Sequence, residues 1–103
     1  MNTPVEAITV EGERTDKDLV VYALSTCAFC KRSMEFLSEL GFTYSYVYLD
    51  DLELEKKRAI KAELKSQFRK LPVFPILVIN GSEALSGFIE DRWRSALGVE
   101  EQV

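Results

Sequence analysis

The stretch LVVYALSTCAFC, Leu19 to Cys30, holds both cysteines of the chain and the junction on which its fold turns. LVVYAL, Leu19 to Leu24, is a short run of β-formers and reads as a buried strand. A helix is expected directly after it. Ser25 and Thr26 are candidate N-caps, and Cys30, Met34, Leu37 and Gly41 fall on one helical face. Gly41 would end that helix as a C-cap. Cys27 thus lies at a helix start, with Cys30 one turn further in.

That position has three chemical consequences. Free amide N–H groups and the positive helix end stabilise an anion at Cys27. Cysteines placed so in a C-x-x-C arrangement have thiol pKa values of roughly 3.5 to 7.5, against about 8.5 when free. Three-residue spacing also brings the two sulfurs to one side of the helix, where they can close a disulfide. Finally, Cys30 shares the inner face with Met34 and Leu37, so Cys27 is expected to be the more exposed attacker and Cys30 the resolver. Lys31 and Arg32 add positive charge nearby.

Competing uses of the pair are weaker. Zinc takes four nitrogen or sulfur ligands, and this sequence offers two thiolates and no imidazole, so a zinc site would have to be shared between two chains. A purely structural disulfide would close a tiny loop and gain little stability. The absence of histidine also excludes Ser-His-Asp and Cys-His catalysis, and histidine-ligated zinc, copper or non-haem iron.

Further along, FTYSYVYL (Phe42 to Leu49) alternates and reads as a second strand. Asp50 and Asp51 suit an N-cap for a helix that carries Ile60, Leu64 and Phe68 at four-residue spacing. Its charged segment EKKRAIKAELK, Glu55 to Lys65, reads as a solvated face with spaced ion pairs such as Glu53 with Lys57. RKLPVFP then breaks the helix, with Pro72 as its stop. ILVINGSEALSG is a hairpin, because Asn80-Gly81 between apolar runs is a strong turn signal. FIEDRWRSALG places Ile89, Trp93 and Leu97 on one face of a last helix, with Glu90 and Asp91 in its first turn and Gly98 as its stop. Pro75 either adopts a cis peptide or simply opens its strand. Pro4 to Val10 is an extra edge strand or a loose arm.

The order β-α-β-α-β-β-α predicts an α/β fold: a central mixed four-stranded sheet with helices on both faces, its first two strands parallel and its final hairpin antiparallel. A length of 103 residues fits one domain. The expected division is an arm or edge strand over 1–18, a domain over 19–98 and a tail over 99–103. Composition is 47% hydrophobic and 29% charged, which argues against disorder. A net charge of −4 argues against nucleic-acid binding. The longest apolar run, VFPILVI, is too short to cross a bilayer, and no secretory signal is visible. A cytoplasmic monomer is the expectation.

These residues resemble the glutaredoxin family of the thioredoxin-like fold. VVYALSTCAFCKRSMEFL resembles its first strand, redox motif and first helix, and FPILVINGSEALSGF resembles its cis-proline strand, hairpin and closing turn. The resemblance covers roughly Leu19 to Leu97. It implies a small thiol-disulfide oxidoreductase in which Cys27 is the nucleophile and Cys30 the resolver. It also makes Pro75 a cis proline beside the sulfurs, and the backbone of Phe74 a partner for an extended substrate. Phe29, Gly87 and Phe88 complete the implied substrate-binding set, although Phe29 is equally explained by ordinary packing.

Implied substrates are protein disulfides or glutathione mixed disulfides. The expectation is no bound organic cofactor or metal, with glutathione a possible co-substrate. Several positions depart from the glutathione pattern. Leu24 stands where many glutaredoxins have lysine, and Val73-Phe74 stands where Thr-Val is usual. Ser86-Gly87-Phe88 replaces a Gly-Gly turn followed by aspartate, with acids only at Glu90 and Asp91. Arg69 and Lys70 are alternative partners for a glutathione carboxylate. "LSGF" instead resembles redoxins reduced by thioredoxin reductase. A rival reading is the iron–sulfur-binding branch of the family, in which the first cysteine and glutathione hold a cluster between two chains. The implied potential lies between roughly −270 and −200 mV.

Overall fold

The computed structural model describes residues 4, 6–68 and 73–99. Strands β1 (Ile8–Val10), β2 (Leu19–Ala23), β3 (Tyr44–Tyr48), β4 (Ile76–Ile79) and β5 (Glu83–Ser86) form one sheet in the order β1-β3-β2-β4-β5. Helices α1 (Ala28–Glu39), α2 (Leu54–Phe68) and α3 (Glu90–Leu97) cover it. β2 and β3 run parallel and the β4–β5 hairpin is antiparallel, as expected, and β4 also lies antiparallel to β2. The leading strand does form. It adds a fifth, edge position by pairing antiparallel with β3, from Ile8–Tyr46 to Val10–Tyr44.

β2 is buried along its whole length because both sheet faces are covered. Leu19, Val21 and Ala23 pack with Cys30, Met34, Phe36 and Leu37 of α1 and with Trp93 and Leu97 of α3. Val20 and Tyr22 pack on the other face with Ile60 and Leu64 of α2. On α1 the buried set Cys30, Ser33, Met34 and Leu37 follows the i, i+3, i+4, i+7 rule, with Phe36 beside it. The predicted faces of α1 and α2 therefore stand. On α3, Trp93 and Leu97 are buried but Ile89 is 47% exposed. It is the residue before the first turn, and its extended backbone turns the side chain away from the helix face.

Gly41 ends α1 as predicted, with φ +82°. Its N–H donates to the Ser38 carbonyl at 3.0 Å, and that of Phe42 to the Leu37 carbonyl at 3.0 Å. This pair of bonds needs a left-handed residue, which glycine adopts without a Cβ penalty. The Asn80-Gly81 turn has φ +54° and +70°, the handedness a tight hairpin requires. Before β2, the chain is pinned to the start of β3. The Gly12 N–H donates to Thr43 Oγ1 at 2.8 Å, and the Thr43 hydroxyl returns a bond to the Gly12 carbonyl at 2.9 Å.

Both expected helix starts need correction. α1 is capped by Cys27 itself, not by Ser25 or Thr26. Asp50 and Asp51 do not cap α2. They lie in a 3-10 turn, Leu49–Asp51, and α2 begins three residues later. Among the described residues, the cation of α2 that forms an ion pair is Lys56, with Glu6 on the N-terminal arm, in place of the expected Glu53–Lys57 pair. Pro72, Arg69 and Lys70 lie outside the described residues.

Candidate active site

The end of β2 delivers the chain into a tight turn. The Cys27 N–H donates to the Leu24 carbonyl at 3.1 Å, which leaves Cys27 with extended backbone at the N-cap of α1. Its sulfur accepts the Cys30 N–H at 3.2 Å. One of the helix's unsatisfied donors is thereby aimed at the sulfur, where it stabilises negative charge. Cys27 is half-buried and Cys30 is 0% exposed, and both are free thiols. Burial, followed by the neighbouring Cys27 sulfur, pushes the Cys30 thiol up to about 12. Cys30 therefore stays protonated through the neutral range. Ser33, buried in the turn below, donates its hydroxyl to the Cys30 carbonyl at 2.7 Å and so leaves no polar atom unpaired there.

The remaining expected site residues come from three places. Phe29, between the cysteines, is 60% exposed and belongs to neither core cluster, so ordinary packing does not explain it. The Phe74–Pro75 peptide is cis, which decides the alternative left open by spacing. Pro75 is fully buried, and Phe74 is half-buried against both core clusters. Gly87, with φ +77°, donates its N–H to the carbonyls of Val73 at 3.0 Å and Pro75 at 2.7 Å, which fastens the closing turn to the proline strand. Phe88 is engaged with an aromatic group, 5.4 Å from Phe36 and 5.0 Å edge-on from Trp93. Trp93 in turn donates its indole N–H to the Gly87 carbonyl at 3.0 Å.

Two neighbours of the dithiol were not expected. Asp50 accepts the Ser25 N–H at 2.9 Å and also the Ser25 hydroxyl. These donors, the hydroxyl first, hold the Asp50 carboxyl below the usual carboxylate range. The signal for this contact was the parallel register. Ala23 sits opposite Tyr48, so continuing the ladder by two brings Ser25 to Asp50. Tyr48 is the second neighbour, and its phenol is pushed up by burial first, then by Tyr46 and Cys30. It ends a row of tyrosines on β3, with ring centroids of Tyr46 and Tyr48 5.2 Å apart. Among the described residues no group of three histidine, cysteine, aspartate or glutamate side chains could hold a metal ion. No helix among them is long and apolar enough to cross a membrane.

The glutaredoxin family model matches residues 19–83, from β2 through the hairpin turn. This chain belongs to the glutaredoxin family. Among solved structures, a glutaredoxin from Methanosarcina mazei Go1 is 32% identical, with a TM-score of 0.78 over 90% of this chain and 88% of that one. A methanoredoxin from Methanosarcina acetivorans is 34% identical, with a TM-score of 0.73 over 82% and 87%. A glutaredoxin from Archaeoglobus fulgidus is 28% identical, with a TM-score of 0.69 over 80% and 87%. No curated protein sequence matches. The thioredoxin-like fold of this family member is thus supported by its sheet order and by these neighbours together, and its C-x-x-C pair is consistent with thiol-disulfide oxidoreductase chemistry.

Proposed function

We propose that this glutaredoxin reduces protein disulfides or glutathione mixed disulfides through a dithiol mechanism, as a cytoplasmic monomer without a resident cofactor. The observation that carries the reading is the asymmetry of the pair. A half-exposed Cys27 sulfur receives a helix N–H, and a fully buried Cys30 is held as a thiol one turn below.

The Cys27 thiolate attacks a substrate disulfide R–S–S–R′. A bond forms between Cys27 Sγ and the R sulfur, and R′–S⁻ leaves and takes up a proton. Cys30 then gives up its proton and attacks Cys27 Sγ, releasing R–S⁻, which is protonated in turn. Two electrons pass to the substrate, and Cys27–Cys30 is left as a disulfide. Pro75, Phe74 and Gly87 would present the backbone edge on which an extended substrate segment adds as a strand. Phe29 and Phe88 would flank it. Replacing Cys30 with serine leaves the first attack intact and removes the second. Cys30→Ser is expected to accumulate a mixed disulfide between Cys27 and its substrate, detectable as an added mass that a reductant removes. Rapid turnover without an adduct would count against Cys30 as resolver.

The choice of electron donor is part of the same proposal. Glutathione is a small, multiply charged peptide. Leu24 supplies it no cation, and Phe29 between the cysteines and Val73 beside Phe74 are exposed apolar groups. Such a surface suits a protein partner better than a charged tripeptide. The oxidised protein, offered thioredoxin reductase with NADPH or glutathione with its own reductase, is expected to be reduced faster by the first. Faster reduction by glutathione would reverse that assignment.

A further inference from the structure

Two residues expected to cap separate helices bind each other instead. Ser25 presents both its N–H and its hydroxyl to the two carboxylate oxygens of Asp50, across 25 positions of sequence. The contact lies where the parallel β2–β3 ladder ends, so it extends the ladder by a side chain once the backbone pairing has stopped. Ser25 belongs to the turn Leu24–Cys27, closed by the Cys27 N–H to the Leu24 carbonyl. The position of the Cys27 sulfur at the N-cap depends on that turn. We propose that Asp50 is a positioning residue for the dithiol, clasping Ser25 through amide and hydroxyl and so fixing the turn that holds Cys27 at the head of α1.

A turn fixed from one end only would let the N-cap residue sample other backbone angles. The helix N–H groups would then stabilise the thiolate for only part of the time. Asp50 removes that freedom from outside the helix, by two charge-assisted bonds. The carboxylate contributes a second effect of lesser weight. Behind burial and the Cys27 sulfur, its charge helps keep Cys30 protonated. The charge of Lys57 on α2 moderates it slightly.

The inference rests on the dithiol reading but is measured without turnover, through the rate at which Cys27 of the reduced full-length chain is alkylated by iodoacetamide at neutral pH. Asp50→Ala removes both bonds and is expected to slow alkylation about tenfold or more, since losing even one hydrogen bond to a charged group is worth about that factor. Asp50→Asn keeps both, since its amide oxygen accepts the Ser25 N–H and its NH₂ donates to the Ser25 hydroxyl. It is expected to restore the rate to within about twofold of the parent. Equal rates in parent and Asp50→Ala would overturn the clasp, as would an Asp50→Asn variant as slow as Asp50→Ala. Should Asp50→Ala not fold, Ser25→Ala is read instead: slowing by roughly threefold supports the clasp, and an unchanged rate overturns it. A Cys27→Ser chain that kept full reducing activity would sink the dithiol reading itself, a result separate from either alkylation outcome.

Discussion

Cys27→Ser is expected to abolish disulfide reduction, with a fall of roughly 10³-fold or more, while the fold is retained. Serine preserves the size of the side chain and its ability to cap α1, since a hydroxyl accepts a helix N–H better than sulfur does. Its oxygen is not ionised at neutral pH, and it forms no disulfide-like intermediate that Cys30 could resolve. The buried Cys30 cannot substitute, because its thiol is pushed up to about 12 and its surface is closed to a substrate. The measurement is reduction of a small aromatic disulfide by the variant and the parent at matched concentrations, with far-ultraviolet dichroism to confirm the helices. Retention of more than a few per cent of the parent rate would mean that another group carries the chemistry.

A second large effect is expected in the aromatic part of the core. Trp93 is 0% exposed, stands edge-on to Phe88 and Phe36, and donates its indole N–H to the Gly87 carbonyl. Trp93→Ala would leave a cavity between α3, α1 and the closing turn and would strip the Gly87 carbonyl of its partner. Large-to-small changes of this kind cost about 3–5 kcal/mol. For a domain of this size that is a large share of a total of about 5–15 kcal/mol, and it corresponds to a drop of roughly 15–30 °C in Tm. Thermal unfolding followed by dichroism tests this, and a drop of less than about 5 °C would show that the aromatic group relaxes into the space. Trp93→Phe, which keeps most of the volume and loses the N–H, is expected to fall between the two.

The parts of the fold legible in the sequence were those specified by neighbours in the chain. The Leu19–Ala23 strand, the Cys27–Cys30 junction, the Asn80-Gly81 turn and the Ile60–Leu64 face each carry their pattern within one or two turns of backbone. The helix caps were misread for the opposite reason. Ser25, Asp50 and Asp51 have the short polar side chains that cap helices, but a local pattern does not say whether such a side chain turns to its own helix or across a ladder to a partner 25 residues away. The edge strand was left open on similar grounds. Ile8–Val10 is three residues long, and what holds it is its pairing with β3 and, just after it, the exchange of bonds between Gly12 and Thr43, both far apart in sequence. In the candidate site, the sulfurs and the cis Phe74–Pro75 bond were anticipated. Asp50 and Tyr48 were not, because they reach the dithiol only once β3 is laid parallel beside β2 in its observed register.

The bond from the Trp93 indole to the Gly87 carbonyl has one more consequence. The chain contains a single tryptophan, so its tryptophan emission, separable from that of the four tyrosines by wavelength, has one source. That fluorophore is anchored by its own N–H to the turn that fastens the proline strand, and it is shielded from water on every side. The protein therefore carries a native optical label on α3, tied to the closing turn, which can be watched in real time with no dye attached and no residue altered.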